Sequence, residues 1–322
     1  MSDSSKGHRP CGPLDPIAAQ IAAFFADDPG WNALKTTPLN QMRAAFRAAT
    51  PVTSEPAMES VEDFLMPVVG GDIAIRIYRP APQPKAIIVW AHGGGFALGS
   101  LDEIDNFSRL LAAKTSSAVA SAEYRLAPEY RFPTAVEDML AAVRWVIERQ
   151  EQIAGRKVPV IVGGDSAGAN LATVVTRKLH ETNAAKVSAN ILAYPSTDHG
   201  EAESLRRFEP PFLTVGDVAW FLDQYQPDPA RREHPDFAPR YASNLHTLPP
   251  TLIITAEHDI ITEQAEDYGE QLEKAGVDVR IRRHEGMIHG FLTMDVFFST
   301  AAGQAVGEIA DFIREVTAVA ET

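Results

Sequence analysis

The chain has 322 residues, 45% of them hydrophobic and 22% charged, a composition that suits a folded protein of one large or two small domains and excludes disordered or fibrous classes. A formal net charge of −14 disfavours nucleic acid and anionic membrane surfaces as partners. Cys11 is the single cysteine, so no intrachain disulfide can form, and no apolar run approaches the length of a membrane span.

In chain order, the leader Met1 to Cys11 reads as disordered. Met1 to Asp15 lacks an apolar core, and the apolar stretch Ile17 to Ala26 is broken by Gln20 and lies behind Asp15 and Pro16, so a secretory signal is not expected and a cytoplasmic location is. Ile17, Ile21, Phe24 and Phe25 recur at helical spacing, then Pro29-Gly30 interrupts, and a second helical stretch runs through Leu39, Met42 and Phe46. Met66 to Val69 and Asp72 to Tyr78 flank Gly70-Gly71 as an antiparallel hairpin. Strand-like runs come next at Ala86 to Trp90, Ala118 to Ala122, Val158 to Val162, Ala189 to Ala193, Thr251 to Thr255 and Val277 to Ile281. Helical faces lie between them, one through Val136, Met139, Leu140, Val143 and Ile147, another through Ala265, Tyr268, Leu272 and Ala275 before a stop at Gly276. Strands alternating with helices predict an α/β fold, a mostly parallel sheet covered on both faces, with function at the carboxyl ends of the strands. Ser204 to Tyr241 breaks the alternation with Pro210-Pro211-Phe212 and the helix-like Val218, Phe221, Leu222 and Tyr225.

Val158 to Leu171 carries the chemistry. Its β-branched run feeds into Gly164-Asp165-Ser166-Ala167-Gly168 and then into helix-forming residues. A strand that reverses sharply into a helix strains the central backbone and crowds the positions two before and two after, where glycine stands. Ser166 is thus the candidate nucleophile, provided that a base and an acid accompany it. The strand Lys85 to Ala91 ends in His92-Gly93-Gly94-Gly95-Phe96, a glycine run able to present backbone N–H groups to a developing oxyanion. Such a loop could also cradle phosphate, but neither Gly-x-x-x-x-Gly-Lys-Ser/Thr nor Gly-x-Gly-x-x-Gly accompanies it.

Nine histidines compete for the role of base. His8 lies in the leader and His92 in the glycine loop; His180, His199, His234 and His246 sit in polar helix ends or loops, where a solvated role is expected. His258 adjoins an acid and His284 ends the last strand. His289 comes after that strand in a loop bounded by Gly286 and Gly290, free to point inward. For the acid, Asp198 and Asp259 both lie just past a strand and both satisfy the order Ser, Asp, His, although Asp198 also suits a turn-capping role after Pro195. No His-Glu-x-x-His and no Cys/His cluster of ligand spacing is present, so neither a metal nor an organic cofactor is expected.

The segments His92 to Phe96, Tyr124-Arg125-Leu126-Ala127-Pro128-Glu129, Gly164 to Gly168, Tyr194-Pro195-Ser196-Thr197-Asp198, Ala256-Glu257-His258-Asp259 and Gly286-Met287-Ile288-His289-Gly290-Phe291 together resemble the bacterial hormone-sensitive-lipase-like esterases, family IV of the α/β-hydrolases. The resemblance implies the α/β-hydrolase fold with a helical cap. On that reading residues 1–48 hold the leader and cap helices, 49–200 the first part of the core, 201–245 a cap insertion and 246–322 the second part of the core. It favours Asp259 as the acid, although Ile260-Ile261-Thr262-Glu263-Gln264 departs from the family's usual Pro-Leu-x-Asp-Glu, and it supports His289 through the family's His-Gly-Phe. The implied activity is a serine carboxylesterase in which Ser166, His289 and Asp259 form an acyl-enzyme and the N–H groups of Gly94, Gly95 and Ala167 hold the oxyanion. Phe24, Phe96, Phe212 and Phe221, with Ile17, are expected to enclose a small-molecule ester of short to medium acyl chain. Tyr124 to Pro133 and Asp165 read as scaffold. An acyltransferase or amidase could use the same residues, a non-catalytic receptor would not need His289, and among protein partners only a homodimer is left open.

Overall fold

The computed structural model describes residues 11–27, 36–50, 52–198 and 211–319. The expectations for the leader before Cys11, for the Pro29-Gly30 break, for His8 and His199, and for the first part of the 201–245 insertion lie outside the described residues.

β1 (Ser60–Val68) and β2 (Gly71–Arg79) pair antiparallel, Met66 opposite Ile73 and Val68 opposite Gly71, around Gly70 at φ +84. The hairpin reaches further than its apolar runs predict. Glu62 and Asp63 sit mid-strand, and Leu65 is 73% exposed, because β1 is an edge strand with one face in solvent. β3 (Ile87–Ala91), β4 (Ala118–Ala122), β5 (Val160–Asp165), β6 (Ala189–Ala193), β7 (Thr251–His258) and β8 (Val279–Ile288) complete one sheet in the order β1-β2-β4-β3-β5-β6-β7-β8. It is parallel from β4 to β8. The last strand continues seven residues past the expected Ile281, so His284 lies inside it rather than at its end. The polar run Arg282, Arg283, His284 and Glu285 hides this extension from any reading of apolar content.

Alternation along the buried strands assigns side chains to two cores. Ile87, Val89 and Ala91 face one, together with α4 (Thr134–Glu148), α6 (Ala167–Glu181) and α8 (Thr262–Lys274). Ile88 and Trp90 face the other, with α3 (Asp105–Thr115) and the long α9 (Ser299–Val319). A short α5 (Gln150–Ala154) precedes β5. α8 stops at the expected glycine, Gly276, with φ +90.

Three helices lie over the carboxyl end of the sheet. α1 (Pro16–Asp27) starts where Asp15 Oδ1 accepts the Ile17 and Ala18 N–H groups at 2.8 and 3.4 Å. α2 (Leu39–Ala49) is the second, and α7 (Val215–Tyr225) opens with a capping box in which the Asp217 N–H donates to Thr214 Oγ1 at 3.2 Å and the Thr214 N–H to Asp217 Oδ2 at 2.9 Å. Ala18, Ala22 and Met42 are buried, Ala18 and Met42 in the second core, so one face of the N-terminal helices does pack as ordinary core. The other face lines a cavity over Ser166. Among the described residues no helix is long and apolar enough to cross a membrane.

Candidate active site

β5 delivers Ser166 into a backbone conformation that L residues rarely adopt, φ 55 and ψ −118, a strain on the order of 1–3 kcal/mol that the surroundings must hold in place. The flanking glycines are obligatory by contact. A Cβ on Gly164 would stand 2.4 Å from the Gly168 carbonyl carbon, and one on Gly168 would stand 2.0 Å from Ala91 O. The Ser166 N–H donates to Ala193 O at 2.8 Å, and its carbonyl accepts the Asn170 N–H at 3.1 Å, so the turn is pinned from β6 and from α6.

The structure brings Ser166, His289 and Asp259 together. Asp259 Oδ2 lies 2.7 Å from His289 Nδ1, and His289 Nε2 lies 2.9 Å from Ser166 Oγ. Because a carboxylate can only accept, Nδ1 carries the proton, and the Nε2 lone pair faces the serine hydroxyl. The other Asp259 oxygen, Oδ1, accepts the Ile261 N–H at 3.1 Å, so the departure from Pro-Leu after the acid still closes a turn around it. Asp198 goes elsewhere. Its carboxylate pairs with Arg240 and accepts from Tyr241 at 3.3 Å, while its N–H and that of Thr197 both donate to Gln264 Oε1. The turn-capping reading of Asp198 is therefore corrected: its side chain anchors the segment around Arg240 and Tyr241 to the end of β6. His180 is also corrected from a solvated residue to a clamp, donating from Nδ1 to Thr247 O at 2.7 Å and accepting the Val187 N–H at 3.0 Å.

The glycine loop after β3 faces the same space. Gly94 and Gly95 adopt φ +104 and +59, and they share with Ser166, Ala167 and His289 a cavity of about 1050 Å³. Gly95 has a further reason to lack a side chain, since its Cβ would fall 2.2 Å from a ring carbon of Phe221. His92 is buried, donates from Nδ1 to Gly93 O at 2.7 Å and stacks on Tyr124 with centroids 4.4 Å apart; burial pushes its imidazole down to about 4 and keeps it neutral. Tyr124 OH donates to His92 O at 2.8 Å, and Arg125 grips Asp138 through Nε and Nη2, so the Tyr124 segment does order the wall of the site. Asp165 turns away from solvent to accept from Trp90 Nε1 at 3.1 Å and from Thr293 Oγ1 at 3.4 Å; burial lifts its carboxyl to about 6 despite these donors.

Phe24, Phe96, Phe212 and Phe221 all line the cavity, with Ile17, Ile21 and Met42 beside them. They are not equivalent. Phe96 is 3% exposed and stacks on Tyr225 at 3.9 Å, whereas Phe24 is 66% exposed and Ile17 45%, which places α1 at an open rim. Two residues that fix this rim were not evident in the sequence. Arg43 on α2 donates to Ala97 O at 2.8 Å, to Ala127 O at 2.7 Å and to the Glu129 carboxylate, tying α2 to the glycine loop and to the Tyr124 segment. Glu257 ties the chain before α1 to the end of the sheet. A charge on an amphipathic helix and an acid beside His258 both look like solvated groups until their distant partners are known.

The family described by the alpha/beta hydrolase fold matches residues 88–293. The carboxylic ester hydrolase LipN of Mycobacterium tuberculosis (strain ATCC 25618 / H37Rv) is 36% identical over 278 residues, covering 82% of this chain and 72% of LipN. An ethyl acetate hydrolase of Pseudomonas putida is 34% identical over 232 residues, 70% of this chain and 73% of that protein. Among solved structures, carboxyl esterase 2 from the mycorrhizal fungus Tuber melanosporum superposes with a TM-score of 0.85 at 28% identity, covering 94% of this chain and 99% of that one. The chain belongs to the α/β-hydrolase family and is a carboxylic-ester hydrolase of its hormone-sensitive-lipase-like branch.

Proposed function

We propose that Ser166 is the nucleophile, His289 the general base and Asp259 the orienting acid of an esterase for short to medium acyl chains, with the helices that follow the leader within residues 1–48 and the insertion 201–245 serving as its cap. The observation that carries the proposal is the unbroken relay from Asp259 Oδ2 through His289 to Ser166 Oγ, with contacts of 2.7 and 2.9 Å, opening on a largely apolar cavity. His289 takes the hydroxyl proton as Ser166 Oγ attacks the ester carbonyl carbon, and the carbonyl electron pair becomes an oxyanion facing the N–H groups of Gly94, Gly95 and Ala167. Collapse expels the alcohol, which leaves with the proton held by His289. Water then repeats the sequence on the acyl-enzyme and frees the acid. Asp259 orients the imidazole through Nδ1 and stabilises the imidazolium formed in each half.

Phe24, Phe96, Phe212 and Phe221 supply the apolar lining for the ester. The name of the Pseudomonas putida relative, an ethyl acetate hydrolase, supports a small substrate. A cytoplasmic setting belongs to the same reading, supported by a chain with a single cysteine. The test is a panel of p-nitrophenyl esters assayed with the native enzyme and with Ser166→Ala. Specificity should peak within about C2 to C8, the range that the family resemblance implies and that a largely apolar cavity suits. Ser166→Ala should lower turnover by about a million-fold. Near-native turnover in Ser166→Ala, or full activity on emulsified long-chain triglyceride, would overturn the proposal.

A further inference from the structure

The ladder between β7 and β8 is regular from Thr251↔Val279 to Ala256↔His284 and then jumps to His258↔Ile288, so three residues, 285–287, stand opposite the single Glu257. A bulge of this kind bends its strand and re-aims the residues beyond it, and it removes backbone groups from the ladder that must be paired in another way. His289 stands two residues beyond this bulge. The middle of the three is Gly286, whose φ is +71 and whose Cβ, had it one, would lie 2.9 Å from Asp15 N.

Both backbone groups of Gly286 are satisfied by one device. Glu257 Oε2 accepts the Gly286 N–H at 2.8 Å, and Gly286 O accepts the Asp15 N–H at 3.0 Å. The second oxygen, Glu257 Oε1, accepts the Gly12 N–H at 2.8 Å, and Cys11 Sγ donates to Glu257 O at 3.5 Å. The strap that Glu257 grips leads directly into α1, because Asp15 is also its capping residue. α1 contributes Ile17, Ile21 and Phe24 to the rim of the cavity. The Gly12 N–H foremost, helped by that of Gly286 and by His258 and Arg283, holds the Glu257 carboxyl below its ordinary range against the upward push of burial. Its side chain is 13% exposed, the Gly286 contact partly buried and the Gly12 contact at the surface. Sequence proximity completes the arrangement: Glu257 is two residues before Asp259, and Gly286 is three before His289.

We propose that Glu257 is a positioning residue of the hydrolytic site, one carboxylate that fixes the bulge aiming His289 and, through the strap 12–15, the seat of α1 over the substrate. This rests on the serine-esterase reading of the site. The two arms have separable effects. The Gly286 arm acts on the base and hence on kcat, while the Gly12 arm acts on the roof and hence on KM.

The experiment compares kcat and KM on a short p-nitrophenyl ester for native enzyme, Glu257→Ala, Glu257→Gln, Gly12→Pro and the Gly12→Pro/Glu257→Ala pair, each normalised to active sites titrated with a fluorophosphonate. Proline at position 12 removes the N–H of the strap and also fixes φ there, so Gly12→Ala, which keeps the N–H, is measured beside it as the control. A hydrogen bond to a charged acceptor is commonly worth a factor of about ten or more. Glu257→Ala should therefore lower kcat by about tenfold and raise KM by about fivefold, with Glu257→Gln in between because one acceptor oxygen remains. Gly12→Pro should raise KM by about fivefold with kcat moving less than about twofold, and the pair should be no worse in KM than Glu257→Ala, since both remove one interaction. If kcat and KM per titrated site stay within about twofold of native in Glu257→Ala whatever happens to its melting temperature, the role is merely structural and the proposal fails; KM effects that multiply in the pair also defeat it. Native enzyme that takes no fluorophosphonate would instead strike the serine reading, a distinguishable result.

Discussion

The two halves of the site are built on opposite principles. The floor, made from the ends of β3, β5, β7 and β8, is fixed by backbone contacts that leave no tolerance: a Cβ on Gly168 would sit 2.0 Å from Ala91 O, and one on Gly93 would sit 2.4 Å from Asp165 Oδ2. The roof, made from α1, α2 and α7, packs into the cores through Ala18, Met42, Leu222 and Tyr225, is tied down by Arg43, Glu257 and Asp15, and leaves Phe24 and Ile17 partly in solvent. Reaction geometry thus resides where the chain cannot yield, and substrate fit where it can. Substitutions in the floor should act on turnover, and substitutions in the roof on substrate preference.

The largest effect expected from this contrast is at Asp259. Asp259→Asn removes the charge that stabilises the imidazolium and permits the wrong tautomer, so kcat should fall by about four orders of magnitude with the fold kept. Asp198→Asn breaks a buried pair with Arg240 instead and should cost about 1–3 kcal/mol of stability while leaving most of the turnover. Measuring kcat and melting temperature for both variants sharpens the comparison; inactivity in Asp198→Asn with near-normal turnover in Asp259→Asn would break it.

A second effect is thermodynamic. Burial first of all raises the Asp165 carboxyl to about 6 in the folded chain, while an unfolded aspartate titrates near about 3.9. The folded state therefore favours the protonated form. Its contribution to stability is complete below about pH 4, is lost as the pH rises to about 6 and is level above that, a span on the order of 3 kcal/mol. Denaturant unfolding of native enzyme and Asp165→Asn between about pH 4 and 8 should show the native chain losing ground to the variant across that window only. A gap that stays constant from about pH 4 to 6 would mean that the carboxyl is not desolvated in the folded chain.

The smallest effect belongs to the roof. Phe221 lies against Gly95, and Phe221→Ala should lower kcat/KM for acetate and butyrate esters by about tenfold, mainly through KM, while improving longer acyl chains. A fall in kcat with KM unchanged would show that Phe221 serves the reaction geometry rather than the fit.

Legibility in the sequence divides along the same line. Strands buried on both faces read as plain apolar runs, and those at 118–122 and 189–193 fall at their expected bounds. The glycines around Ser166 were legible because steric demand leaves a residue-type signature, whereas Gly286, read as opening the loop before His289, lies within β8. Edge and bulged strands were not: Ser60 to Leu65 and Val279 to Ile288 mix charge with apolar residues because one face meets solvent or another segment. Residue chemistry alone left Asp198 and Asp259 equal, and only the placement of Arg240, Gln264 and His289 separates them. The ties made by Arg43 and Glu257 were illegible for the same reason: Arg43 reaches Ala97 across 54 residues and Glu257 reaches Gly12 across 245.

The central claim, that Ser166 carries the acyl group, is tested most directly by quenching the enzyme with acid during turnover of a p-nitrophenyl butyrate and mapping the modified peptide by mass spectrometry. The account predicts a butyryl group on Ser166 of the native enzyme and none in Ser166→Ala. A butyryl group on another residue, or steady turnover by Ser166→Ala with no acylated peptide, would contradict it.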